Sequence, residues 1–282
     1  MVASPLRYPG GKAKLYEFFV EFITRNDLLG THYCEPYAGG AGLAIKLLSH
    51  GFVSRISLND LDNSIFSFWK SALFDTDQFC ALIESTPITM AEWRKQQVIW
   101  READASDQLA LGFSTYFLNR TNRSGIIEGA GPIGGIKQAG KWKLDARLNK
   151  TRQIENIRLL SRLRDKIEIS NLDAVEFIQG KIKRKNHLLY LDPPYFVKGS
   201  KLYKNFYQPE DHKVISNLLR RHRNNKWIVS YDNVPEIQSL YSDFANIEYT
   251  LGYSAGTRAV GKEIIFSSDE LIMPGGILQG AA

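Results

Sequence analysis

The 282-residue chain is 44% hydrophobic and 23% charged, enough apolar material for one large domain with an insert or two modest domains, and too much for a tail or linker. A formal charge of +6 is only moderately basic, so where the charge sits matters more than its sum. Two cysteines far apart, Cys34 and Cys80, argue against a disulfide framework or a cysteine zinc site, and with no membrane-length apolar run and no signal layout in Met1 to Phe22, a soluble, cytoplasmic protein is expected.

In chain order, short apolar runs ending in polar or turn residues read as buried strands at His32–Glu35, Ile56–Asn59, Ile167–Asn171, Leu188–Asp192, Trp227–Tyr231 and Glu263–Ser267. Helical periodicity falls between them at Leu43–His50, Ser64–Ala72 and Asp211–His222. This alternation predicts an α/β chain with a mostly parallel, doubly wound sheet. It breaks off from about Phe74 to Asn156, where Trp93–Trp100 and Gln108–Leu118 read as helices without a convincing buried strand. The expected organisation is therefore a catalytic-type domain over 1–73, a helix-rich insert over 74–156, and the rest of the first domain over 157–282.

Inside the insert, Arg120-Thr121-Asn122-Arg123-Ser124-Gly125 and Glu128 to Gly135 carry turn and loop chemistry. A polar loop with Arg and Asn has the donors and acceptors to read base edges, and equally those of an ordinary surface loop. From Lys137 to Lys166 ten Lys/Arg face three Asp/Glu, 10 − 3 = +7, more than the net charge of the whole chain. With Trp142 among them, and with Lys137 and Lys141 at its start, such a block suits nucleic-acid phosphates; a solvated basic face gives the same pattern. The stretch from Ile154 to Lys166 reads as one helix with Ile154, Ile157, Leu160 and Leu163 as its core stripe and Arg158, Arg162 and Lys166 along another side.

Three segments carry chemistry. Pro9-Gly10-Gly11-Lys12 is followed by Ala13, not Ser or Thr, which argues against a phosphate-binding loop. Glu35-Pro36-Tyr37-Ala38-Gly39-Gly40-Ala41-Gly42 sits between a strand and a helix, where backbone can pass close to a cofactor, but lacks the dinucleotide glycine spacing. Asp60 comes directly after the next strand at a position suited to ribose hydroxyls, although Asp60 or Asp62 can equally cap the helix that starts near Asn63. Asp173 repeats the arrangement after a later strand and is a candidate partner for an adenine amino group of the cofactor.

The fullest signal is Leu188-Leu189-Tyr190-Leu191-Asp192-Pro193-Pro194-Tyr195-Phe196. A strand delivers a carboxylate, two prolines stiffen the backbone directly after it, and an aromatic ring comes next. The exocyclic nitrogen of a nucleobase is a weak nucleophile because its lone pair is delocalised. Asp192 accepting one N–H and a rigid backbone carbonyl accepting the other favour a pyramidal nitrogen. Pro193 and Pro194 add no competing N–H, and Tyr195 can stack on an extruded base.

At these residues the sequence resembles the Dam-type (D12 class, α group) adenine-N6 DNA methyltransferases over nearly its whole length. Leu6-Arg7-Tyr8-Pro9-Gly10-Gly11-Lys12 is similar to that family's opening motif, with Tyr8 and Lys12 at cofactor-contacting positions. Glu35 to Gly42 resembles its methionine-side cofactor loop, with Tyr37 where phenylalanine is usual; Asn59-Asp60 resembles the ribose site, and Asp192 to Tyr195 the catalytic motif. Tyr253-Ser254-Ala255-Gly256-Thr257-Arg258, then Lys262-Glu263-Ile264-Ile265, is similar to the closing segment. Leu118-Asn119-Arg120 and Asn122-Arg123-Ser124-Gly125 resemble the stretch leading into a DNA-contacting hairpin, with Arg-Ser-Gly in place of the usual Asn-Gly.

The resemblance implies a Rossmann-like S-adenosylmethionine-dependent methyltransferase fold with an inserted, mostly helical target-recognition domain. It implies S-adenosyl-L-methionine as cofactor, held by Tyr8, Lys12, Glu35, Pro36, Tyr37, Gly39, Gly40, Gly42, Asp60, Asp173 and Asp192. It also implies double-stranded DNA as partner, through Asn119, Arg120, Asn122, Arg123 and Arg258, to which the basic block adds Lys137 and Lys141 as candidates. No metal is expected, and a separate restriction endonuclease is compatible with the sequence. N4 methylation of cytosine and a catalytically silent DNA-binding relative are the competing readings.

Overall fold

The structure, a computed structural model, describes residues 2–7, 12–196, 207–253 and 259–275. Tyr8 and Arg258 lie outside the described residues. The strands are β1 (Thr31–Glu35), β2 (Val53–Asn59), β3 (Ile167–Ser170), β4 (His187–Leu191), β5 (Trp227–Asp232), β6 (Ala245–Tyr253) and β7 (Ala259–Ser267). They form one sheet in the order β3-β2-β1-β4-β5-β7-β6. β1 pairs in parallel with β2 and β4, and β4 with β5; β7 runs antiparallel to both β5 and β6. The α/β class read from the sequence is the class observed.

Every residue of β1 is buried, as is all of β4 after His187; β4 therefore reads as a continuous apolar run, whereas β1 buries Thr31, His32 and Glu35 around Tyr33 and Cys34. β6 has no such run in the sequence because it is an edge strand with most of its described residues exposed. Chain order reverses between β1 and β4. In an open α/β sheet that reversal leaves a crevice at the carboxyl ends of the two strands. Here those ends are Glu35 and Leu191, with Asp192 next in the chain.

Two compact units are distinguished, Met1–Pro9 with Asp62–Asn171, and Gly10–Leu61 with Leu172–Ala282. In the second, helix α1 (Tyr16–Arg25) buries Phe18, Phe19 and Phe22, and Phe19 meets Tyr33 and Tyr190 edge-on at 6.0 and 4.8 Å. Cys34, Leu189 and Leu191, which alternate with those tyrosines, join a separate core with Phe177 and Ile178 of α8 (Ala174–Lys181), Ile215 and Leu219 of α9 (Pro209–Arg221) and Ile237 of α10 (Pro235–Leu240). Period-two alternation thus sends one strand's side chains into two helical layers. Helix α2 (Gly42–Ser49) connects β1 and β2.

The first unit contains α3 (Asn63–Phe74), α4 (Thr76–Ser85), α5 (Met90–Glu102), α6 (Gln108–Thr121) and α7 (Lys150–Ser161). Asp62, Thr89, Asp107 and Asn149 accept amide hydrogens from Ser64, Glu92, Ala110 and Arg152, fixing where four of these helices begin. The Phe68 and Tyr116 rings stack at 6.2 Å with Phe79 edge-on to both. Gly112 lets α6 approach α3 closely: a Cβ there would lie 2.5 Å from the Ser67 carbonyl oxygen. The single helix expected over Ile154–Lys166 is instead α7, ending at Ser161, and a 3-10 turn at Arg164–Lys166. Short-range bonds from Leu163 N to Leu160 O and Lys166 N to Leu163 O end it, so Arg158, Arg162 and Lys166 do not share one helical stripe. Among the described residues, no helix is long and apolar enough to cross a membrane.

Candidate active site

β4 ends at Leu191 and hands Asp192 to the loop, with about a quarter of its side chain exposed. Its Oδ1 accepts the Ser230 hydroxyl at 2.9 Å and lies 3.1 Å from Lys12 Nζ. Ser230, on β5, is also bonded to Tyr190 Oη at 2.8 Å. Lys12 opens a short 3-10 turn, is buried, and donates to Tyr195 Oη at 2.8 Å and to Glu263 Oε2 at 3.0 Å. Glu263, fully buried on β7, accepts the Tyr195 hydroxyl on Oε1 at 2.5 Å and the Tyr249 hydroxyl on Oε2.

Burial pulls against the charge on Lys12, but Asp192 and Glu263 outweigh it and hold the ammonium above its usual pKa. Burial also pushes Asp192 up; Lys12 opposes this, Glu263 adds to it and the Ser230 bond works against it. Tyr195 itself is buried with its hydroxyl tied down, so its orientation is set by Lys12 and Glu263.

At the neighbouring strand ends, Glu35 is buried and its pKa is raised to about 8, chiefly by burial and secondarily by Asp192, against a hydrogen bond from Tyr33. Pro36 comes next, and Tyr37 bonds through its hydroxyl to Tyr207 at 2.7 Å. Gly39 adopts φ 45° and donates its amide to Asp60 Oδ2 at 2.8 Å. Gly40 and Ala41 complete the turn, and Ala41, also at φ 45°, leaves α2 beginning at Gly42 with no side-chain cap. Asn59, at the end of β2, is fully buried and bridges two loops, donating to Pro36 O and Leu172 O and accepting Leu172 N–H.

Of the two carboxylates that could have capped α3, Asp62 does so while Asp60 holds Gly39. Asp173 caps α8 through a 2.8 Å bond from Val175 N, so one of its oxygens is committed to the helix. Lys12, Asp192 and Tyr195 come together at one point, and Glu35, Gly39 and Asp60 edge the adjacent strand ends.

The family model for the D12 class N6 adenine-specific DNA methyltransferases matches residues 8–252, which takes in Lys12, the turn at Gly39, Asp60 and Asp192. The chain belongs to this family. It is therefore an adenine DNA methyltransferase, and S-adenosyl-L-methionine is the cofactor that membership implies. Solved structures with similar folds include a protein described as an RNA methyltransferase from Pyrococcus horikoshii, at 11% identity and TM-score 0.43 over 95% of this chain and 88% of the other. The rRNA methyltransferase AviRa of Streptomyces viridochromogenes matches at 11% identity and TM-score 0.39 over 95% and 90%. At that degree of likeness neither adds to the family assignment. No curated protein matches the sequence.

The methyltransferase's DNA-binding candidates divide into two kinds. Asn119 is buried, with Oδ1 accepting Arg7 N–H and Nδ2 donating to Arg7 O and Gly125 O. Asn122 is buried too, accepting Trp93 Nε1–H and donating to Ile126 O and Ile127 O. Both amides brace the loop, their hydrogen-bonding groups directed to the backbone and to Trp93. Arg120 is half-buried, whereas Arg123, Lys137 and Lys141 are exposed. The loop between them is closed by antiparallel bonds from Arg123 N to Gly131 O and Ile133 N to Thr121 O. Gly125, at φ 78°, passes Arg7 so closely that a Cβ would meet its carbonyl oxygen at 2.4 Å. Lys141 lies over the exposed Trp142 ring.

The sequence did not single out Ser230, Tyr190, Tyr249 or the role of Glu263. Glu263 left a trace, as a charged residue directly before the apolar run Ile264-Ile265-Phe266 and within the closing segment that resembles the family. His32, Cys34 and His187 bring ligand-type atoms within 4.8 Å of one another, but the two imidazoles stack face to face at 4.4 Å and His32 is bonded to Ser57, an arrangement of packing.

Proposed function

We propose that this chain is a site-specific methyltransferase that acts on N6 of adenine in duplex DNA, by extruding the base and transferring the methyl group directly. The observation that carries this reading is the two-sided clamp on Asp192 Oδ1 by Ser230 and Lys12, which leaves Oδ2 as the carboxylate oxygen for a substrate amino group. That oxygen accepts one N–H of the adenine while a carbonyl of the diproline loop accepts the other, turning the nitrogen lone pair out of conjugation. S-adenosylmethionine, when bound, supplies a methyl carbon on a cationic sulfur. As the new N–C bond forms and the bond from the methyl carbon to sulfur breaks, its electron pair left on sulfur as a neutral thioether, Asp192 would stabilise the positive charge on the nitrogen and take the departing proton on its way to solvent.

The donor set at the strand ends fits this cofactor. Asp60, fixed through Gly39, is a ribose-hydroxyl acceptor, and buried Glu35 lies beside the left-handed turn at Gly39 and Ala41, where backbone can approach a ligand closely. In the first unit, exposed Arg123, Lys137, Lys141 and Trp142 supply phosphate contacts, base reading and a stacking face. N4-cytosine transfer uses the same chemistry, but the family match favours adenine. A silent DNA-binding relative has no use for a buried lysine between two carboxylates.

Asp192→Ala tests the reading: methyl transfer drops by a factor on the order of 10³ while S-adenosylmethionine still binds by calorimetry. Near-normal turnover in that variant refutes the assignment.

A further inference from the structure

We propose that Glu263 is a positioning residue of the methyl-transfer centre, holding Lys12 and Tyr195 so that Asp192 keeps one oxygen for the substrate amino group. The proposal rests on the catalytic role of Asp192 and goes beyond it to a residue outside the catalytic loop.

A carboxylate with no solvent exposure is costly unless its lone pairs are used, and those of Glu263 are divided among named partners. Oε1 takes the Tyr195 hydroxyl, while Oε2 takes Lys12 and the Tyr249 hydroxyl. Neutralising Lys12 alone does not require it, because Asp192 already lies 3.1 Å from the ammonium. Two carboxylates sharing one lysine split its pull. With Glu263 neutral, Lys12 has Asp192 as its remaining anionic partner in the cluster, closes on that carboxylate, and competes with the amino group for it. Tyr195 loses its anionic anchor in the same change.

The charged and titratable groups facing this cluster are Lys12 from the N-terminal turn, Asp192 and Tyr195 from the loop after β4, Tyr190 from β4, Tyr249 from β6 and Glu35 from β1. Asp232 stands opposite Glu263 in the β5–β7 register and accepts the Phe196 amide. Glu263 raises the pKa of both Lys12 and Asp192, so removing its charge lowers both.

The test compares wild type, Glu263→Gln, Tyr249→Phe and Asp192→Asn, measuring kcat, KM for DNA, S-adenosylmethionine binding and the pH profile of kcat/KM. Glu263→Gln is expected to lower kcat about 10-fold with cofactor binding kept, and to move both limbs of the profile to lower pH. Tyr249→Phe keeps the charge but removes one donor from Glu263, strengthening its hold on Lys12, so the alkaline limb moves up instead. A Glu263→Gln enzyme with limbs unmoved overturns the proposal, since a purely structural role changes stability and not limb position. Should that variant fail to fold, Tyr249→Phe decides: a raised alkaline limb supports the proposal and an unmoved one overturns it. An active Asp192→Asn enzyme overturns the catalytic reading and this proposal together, whereas an inactive one with unmoved Glu263→Gln limbs overturns this proposal alone.

Discussion

The Ser230 hydroxyl and the Lys12 ammonium converge on the same oxygen of Asp192, Oδ1, at 2.9 and 3.1 Å. Ser230 comes from β5 and Lys12 from a turn 218 residues earlier (230 − 12), so the carboxylate is oriented by tertiary structure and not by its own loop. Orientation of this kind is what a hydrogen-bond acceptor needs if it is to be aimed before the substrate arrives.

Ser230→Ala removes a bond that lowers the Asp192 pKa, so that pKa rises. The group must be ionised to accept the amino hydrogen. The acid limb of the kcat/KM profile therefore shifts to higher pH, with kcat reduced about 3- to 10-fold. An acid limb that stays put removes Ser230 from the mechanism.

Asp60→Asn is expected to weaken S-adenosylmethionine binding at least about tenfold in calorimetry, because it loses charge towards ribose hydroxyls and loosens the Gly39 turn. Unchanged affinity places the ribose elsewhere.

Glu35 gives a pH dependence of stability. Its native pKa of about 8 lies above the ordinary 4.5, so between these values the folded state holds a proton that the unfolded chain has lost. The associated stability is complete below about pH 4.5 and is lost progressively as pH rises to about 8. Glu35→Gln cannot ionise, so its urea midpoint falls less than that of wild type over this window; parallel curves contradict the burial of an ionisable Glu35.

Gly112→Ala forces a methyl against the Ser67 carbonyl, 2.5 Å from an ideal Cβ. A loss of about 1–3 kcal/mol is expected by denaturant unfolding, without change in S-adenosylmethionine binding. Wild-type stability indicates a looser approach of α6 to α3.

Lys137→Glu with Lys141→Glu should raise KM for DNA and flatten the salt dependence of binding by about two in slope, whereas Arg123→Ala should relax sequence preference. Identical footprints and salt slopes put the DNA surface elsewhere.

β4 was legible because both faces of a parallel strand are buried and it therefore shows as an apolar run, whereas β1 offers only Tyr33 and Cys34 between buried polar residues. The catalytic loop was legible because Asp192 to Tyr195 is contiguous. Glu263 and Ser230 were not, since each acts on Asp192 or Lys12 across the sheet, and no local spacing announces that. The loop-bracing bonds of Asn119 and Asn122 were not legible for a related reason: an amide suited to adenine is equally suited to a turn, and local sequence does not report burial. Arg164 to Lys166 resembles helix in sequence because its charge spacing continues that of α7, while the backbone tightens after Ser161.

The most direct measurement is to incubate the protein with labelled S-adenosylmethionine and unmethylated DNA, digest to nucleosides and identify the methylated product, with Asp192→Ala as control. The expected result is N6-methyladenine at a defined sequence and none from the variant. N4-methylcytosine, or label transferred equally by the variant, contradicts adenine methylation through Asp192.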